Sequence, residues 1–151
     1  MDNFLLMLLQ HEKQEILETN TYTCQFGLSL TEAEIQVLMD ARNQCLKEQQ
    51  RVEFGEGILK KMIYAFCDSD YIYQENYADT LVALQDIFYL YKNESMDDLT
   101  DDELIAYMRK NFDEICQGSL EYLADTCLEN FARKIRVSTR GFIGRYEEDD
   151  D

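Results

Sequence analysis

Apolar positions recur at spacings of three and four along most of the chain, the period of one buried face of an α-helix. The first such segment, about Asp2 to Glu18, packs its apolar residues into Phe4 to Leu9 and again at Ile16 and Leu17. Its opening turns are apolar all round, which predicts contact with more than one neighbour. A second helix is expected over about 32 to 51, where Ile35, Leu38, Met39, Cys45 and Leu46 form a stripe. Thr31 precedes it and Glu34 follows at capping-box spacing, so hydroxyl and carboxylate can each satisfy a free backbone N–H. Gly55 and Gly57 interrupt, and Ile58, Leu59, Met62, Ile63 and Phe66 predict a shorter third helix ending near Asp68.

The clearest stripe follows. Tyr77, Leu81, Leu84, Phe88 and Tyr91 share one face of a fourth helix over about 76 to 92. Thr100 and Glu103 repeat the capping-box spacing, with Asp101 and Asp102 at the positive helix end. Leu104, Ile105, Met108, Phe112 and Ile115 extend that fifth helix to about residue 117. Gly118 is a stop and Ser119 an N-cap. Leu120, Leu123, Cys127, Phe131 and Ile135 then carry a sixth helix to about Arg136.

Two segments break the period. Tyr22, Cys24, Phe26 and Leu28 alternate with polar or small residues, and Val137, Thr139 and Ile143 lie in a β-branched stretch interrupted by Gly141. Both read as short extended pieces that could pair. The expected fold class is therefore mainly α: a compact bundle of about six helices, with at most one short two-stranded β ribbon. No repeat at a fixed period of 30 to 45 residues is present, which argues against a solenoid. Glu147 to Asp151 is all acidic with no apolar anchor, so it is expected to be a disordered tail after a single domain over 1–146.

Composition sharpens this outline. The 151 residues include no proline and six glycines, so the strongest chain punctuators are scarce. Thirty-one acidic against fourteen basic residues give a net charge of −17. Such a surface repels phosphate backbones and anionic lipid headgroups, which argues against direct nucleic-acid or membrane binding. The longest apolar run, Phe4 to Leu9, is far below the ~20 residues needed to cross a bilayer. It also lacks the preceding basic residues and the cleavage site of a secretory signal, so a cytoplasmic location is expected. Five cysteines without a C-x-x-C pair read as reduced thiols. Cys45 and Cys127 fall on helix stripes and Cys67 and Cys116 adjoin Phe66 and Ile115, which places all four in the core.

Chemical motifs are sparse. The single histidine, His11, cannot build a di-iron carboxylate bundle or a His-Glu-x-x-His zinc site. The cysteine spacing contains no zinc knuckle. A calcium loop beginning at Asp68 would place Tyr73 at the glycine turn and Asp79 at the glutamate position, so that match fails. Asp97, Asp98, Asp101, Asp102 and Glu103 read as a solvated helix start. No phosphate-binding glycine pattern occurs, and Phe54-Gly55-Glu56-Gly57 sets a carboxylate where a phosphate would approach. No catalytic residue, metal or cofactor is assigned.

Two surface features remain. Eight of the eighteen aromatic residues lie between Tyr64 and Tyr91. Tyrosine offers a partner an apolar face with a polar tip, and Tyr71, Tyr73 and Tyr89 are the members expected on the surface. Arg133, Lys134, Arg136, Arg140 and Arg145 gather five of fourteen basic residues within thirteen positions. They could bind an anion, although docking onto the protein's own acidic segments is the favoured expectation.

Residues 51 to 57 (R-V-E-F-G-E-G), 64 to 77 (Y-A-F-C-D-S-D-Y-I-Y-Q-E-N-Y) and 101 to 124 resemble a family of uncharacterised short acidic proteins of anaerobic Firmicutes, a domain of unknown function. The likeness extends from about Gly27 to Arg136. It implies a bacterial, cytoplasmic protein and brings no activity, cofactor or site residue. The leading expectation is thus a non-enzymatic module that binds another protein, through the aromatic segment or through the acidic region at Asp97 to Glu103. One alternative is a metal-dependent or small-molecule enzyme that uses carboxylates around a tyrosine-lined cleft. A weaker one is a mimic of the nucleic-acid backbone that occupies a basic protein groove.

Overall fold

Thr31 and Thr100 both close the capping boxes their spacing predicts. Thr31 Oγ1 accepts from the Glu34 N–H at 3.1 Å while Glu34 Oε1 accepts from the Thr31 N–H at 2.9 Å. The Thr100–Glu103 pair repeats this at 3.1 and 2.8 Å. The computed structural model describes residues 2–51, 57–95 and 98–134, and every regular element among them is helical. In order these are α1 (Asp2–Leu17), α2 (Asn20–Thr23) running into a 3-10 turn (Cys24–Phe26), and α3 (Glu32–Gln49). Next come α4 (Leu59–Phe66), a second 3-10 turn (Gln74–Asn76), α5 (Tyr77–Glu94) and α6 (Asp101–Asp113). The last, α7, opens at Leu120–Tyr122, widens into a π turn over Leu123–Cys127 and stays helical over 128–134.

Helix α5 is the centre. Its predicted stripe of Tyr77, Leu81, Leu84, Phe88 and Tyr91 is fully buried, and so are Thr80, Gln85, Ile87 and Tyr89. Burial on more than one side follows from its position, packed against α3, α4, α6 and α7. Two buried polar groups fix its neighbours. Gln85 Nε2 donates to the Leu38 carbonyl of α3 at 3.1 Å, and the Tyr91 hydroxyl donates to the Leu123 carbonyl of α7 at 2.8 Å.

Helix α1 is held by its C-terminal half. Ile16 is buried, Arg42 of α3 reaches Glu12 at 3.1 Å and Lys60 of α4 reaches Glu15 at 2.8 Å. The expectation that its apolar first turns contact several neighbours is not met. Phe4, Leu6, Met7 and Leu8 are exposed, and the ion pairs to α3 and α4 come from Glu12 and Glu15 further along the helix.

The β ribbon is also corrected. Tyr22 to Phe26 is helical, and Thr23 Oγ1 and Gly27 finish the turn: the hydroxyl donates to the Leu28 carbonyl at 2.9 Å and the glycine takes φ 78°. Local side-chain hydrogen bonds of threonine and asparagine satisfy the backbone here without a strand partner. The proposed partner at Val137, Thr139 and Ile143 lies outside the described residues, as do the tail at 147–151 and the domain limit at 146. Helix α6 ends at Asp113, earlier than expected. The chain turns through left-handed Gln117 (φ 50°) and Gly118 (φ 85°) before Ser119 caps α7.

Candidate partner-binding face and a cationic cleft

Helical geometry places Tyr22 and Phe26 four residues apart on one face, where a strand would have spread the 22–28 set differently. Their ring centroids are 5.8 Å apart, and Tyr22 lies 5.3 Å from Tyr64 of α4. All three remain open to solvent, at 46, 39 and 44%. The turn beneath them is fastened. Asn20 both donates to the Leu30 carbonyl (2.9 Å) and accepts from the Leu30 N–H (2.8 Å), and Thr19 Oγ1 donates to the Ile16 carbonyl at 2.6 Å.

Tyr71 and Tyr73 stand on the segment between α4 and α5, exposed at 37 and 57%. Arg109 and Asp113 of α6 clasp that segment. Arg109 Nη1 reaches Asp68 at 2.6 Å, Arg109 Nε reaches Asp113 at 2.6 Å, and Ser69 Oγ donates to the other Asp113 oxygen at 2.7 Å. Tyr71 sits edge-on to Phe112, with centroids 6.2 Å apart. Gln74 exchanges two hydrogen bonds with the Ser29 backbone, at 2.8 and 3.1 Å. These link the segment carrying Tyr71 and Tyr73 to the loop that follows Phe26. Tyr89 is not part of any surface. It is 1% exposed, with its ring 5.1 Å from Phe88, because α5 is covered on that side as well.

Of the basic cluster, Arg133 and Lys134 fall within the described residues, and Arg136, Arg140 and Arg145 lie outside them. The expected docking onto the protein's own acids is not seen for these two: neither forms an ion pair among the described residues. Instead they line a cleft of about 250 Å³ between α6 and α7, with Tyr107, Asn111, Tyr122 and Asn130. Among the described residues no carboxylate lines it. On an adjoining side of α7 a second cleft is lined by Glu94, Asp125 and Glu129, so the helix separates a cationic side from an acidic one.

Cys127, 3% exposed, also lines the cationic cleft. Its Sγ lies 3.5 Å from Cys116 Sγ, close enough for one thiol to donate to the other. Asn111 Oδ1 is 3.9 Å from Cys127 Sγ. Tyr91, Tyr107 and Phe131 form an aromatic cluster at this end of the core, with Phe131 4.9 and 5.0 Å from the two tyrosines. Burial, then the hydrogen bond with Cys127, pushes the Cys116 thiol up to about 12. Cys45 and Cys67 are buried elsewhere, and Cys24 is exposed.

The acidic helix start is internally paired. Lys92 reaches Asp101 at 2.9 Å and Lys61 reaches Asp102 at 3.0 Å; Asp97 lies outside the described residues. His11 is exposed, 3.7 Å from Glu15. Among the described residues no three His, Cys, Asp or Glu side chains gather as a metal site, and no helix is long and apolar enough to cross a membrane.

Among the described residues, helices arranged round one buried central helix, with an exposed aromatic face and a cleft lined by cations, define a small helical protein. The chain belongs to a family of unknown function (DUF6323), whose model matches residues 15–141. No curated protein and no solved structure matches it.

Proposed function

We propose that this is a cytoplasmic binding module whose partner is another protein, engaged through the face formed by Tyr22, Phe26 and Tyr64. The contact of three half-exposed rings outside the core carries this reading. Aromatic side chains bring a large apolar area at low entropic cost and are enriched at the anchoring points of protein interfaces. Tyr73 and the outer edge of Tyr71 extend the face along the tethered segment. A net charge of −17 favours a partner with a basic rim and speeds its encounter at low salt.

Capture with the purified protein, compared with a Tyr22→Ser/Tyr64→Ser variant, tests the face. The expected result is a stoichiometric protein lost with the double variant and retained with Val37→Ser, a control at a separate exposed apolar position on α3. Equal recovery with all three would remove this face from consideration.

A further inference from the structure

We propose that Cys116 and Cys127 are a thiol–disulfide exchange pair that reduces a small anionic disulfide bound in the cleft beside Arg133 and Lys134.

Three observations converge. The two sulfurs lie 3.5 Å apart, and a disulfide needs them at about 2.05 Å, so closure asks for a movement of roughly 1.5 Å. Neither cysteine is locked in a regular α-helical turn. Cys116 is in the connection before left-handed Gln117 and Gly118, and Cys127 ends the π turn. π turns inside helices recur at functional sites. Finally, among the described residues the cleft that reaches Cys127 is lined by two cations, two amides, two phenols and Ile115 and by no carboxylate, on a chain holding 31 acids. An anionic reagent is repelled by the rest of this surface and attracted here.

The positions of the two thiols assign their roles. Cys127 lines the cleft, while Cys116 does not line it and lies behind Cys127 with its sulfur 3.5 Å away. Cys127, on losing its proton to solvent, attacks one sulfur of the bound disulfide. The S–S bond of the reagent breaks and one thiolate leaves, giving a mixed disulfide on Cys127. Cys116 then loses its proton, attacks the Cys127 sulfur and expels the second thiolate. The two protein sulfurs lose two electrons, the reagent gains them, and the two released protons match the two small thiols formed. Arg133 and Lys134 are positioning residues that hold the reagent's carboxylates.

The test uses the full chain carrying Cys24→Ser, which removes the exposed thiol, and dithiobis(nitrobenzoate), an anionic aromatic disulfide. Two nitrothiobenzoate anions should be released per protein with no label retained, and peptide mapping should join Cys116 to Cys127. Cystamine, a cationic disulfide, should react about tenfold more slowly once each rate is normalised to a free thiol. Arg133→Glu with Lys134→Glu should reverse that order while circular dichroism stays unchanged. Cys116→Ser should trap one label on Cys127. Retention of label by the intact pair, a bridge between other cysteines, or a charge preference unmoved by the double variant would each overturn the proposal.

Discussion

Tyr71 lies so close over Gly118 that a β-carbon on the glycine would sit 2.7 Å from the tyrosine's own Cβ. Gly118 also has φ +85°, a region that L side chains adopt at a cost of about 1–2 kcal/mol. Strain and overlap act together, and the overlap is with the base of a ring pinned on Phe112 rather than with a flexible tip. Gly118→Ala should therefore destabilise the fold by about 3 kcal/mol, read from the urea midpoint.

The end of α3 offers the opposite change. Gln50 takes φ 56° at the helix C-terminus, where the Arg51 N–H bonds the Leu46 carbonyl at 2.8 Å and the Gln50 N–H bonds the Lys47 carbonyl at 3.2 Å. This is the hydrogen-bond pattern that glycine ordinarily completes. Gln50→Gly should raise stability by about 1 kcal/mol, since relief of left-handed strain exceeds the added freedom of the unfolded chain. A fall in the thermal midpoint would contradict this.

Arg109 is the group that ties the Tyr71–Tyr73 segment to α6. Replacing it by leucine leaves Asp68 and Asp113 without their shared cation and should cost about 2 kcal/mol, since hydrogen bonds to charged groups exceed neutral ones. Amide exchange should speed up selectively over residues 67–73. Uniform acceleration across the chain would mean that Arg109 supports the whole bundle instead.

Cys45 makes stability sensitive to alkali. Its Sγ donates to Asp86 at 2.7 Å, and burial, followed by the hydrogen bond and charge of Asp86, pushes its thiol up to about 12. An unfolded thiol ionises near 8.5. The raised folded value means the contribution is complete below about pH 8.5 and is lost as pH rises toward 12. Buried Tyr77 and Tyr91, shifted upward chiefly by burial, act in the same direction. The urea midpoint should fall through this range, less steeply in Cys45→Ala than in the parent. Parallel slopes would assign the loss to the tyrosines and Cys116.

Much of the bundle was legible because its helices carry local signals. The Tyr77 to Tyr91 stripe alternates spacings of four and three, which average close to the helical repeat, and α5 is regular. Leu120, Leu123, Cys127 and Phe131 carry the helical signal of α7, but spacings of three and four are those of an ordinary α-helix and leave the π turn over Leu123–Cys127 unmarked. The alternation of Tyr22, Cys24, Phe26 and Leu28 with polar or small residues imitates a strand, although the interleaved residues include a threonine, Thr23, that can bond the backbone locally. Its hydroxyl and that of Thr19 bond backbone carbonyls within the same turn. The burial of Tyr89 depends on which helices surround α5, information that no local pattern holds. Arg133 and Lys134 were singled out by charge, but their cleft needs α6 to contribute Tyr107 and Asn111.

The enclosure of α5 has a consequence for biosynthesis. A ribosome delivers α3 and α4 well before Tyr77–Glu94 has left the exit tunnel, so their oily sides face solvent until that segment arrives. The nascent chain passes through an interval in which it is greasy despite its acidity, and chaperone capture would be concentrated there. Early helices cannot mature piecemeal when the rod they clasp is translated after them.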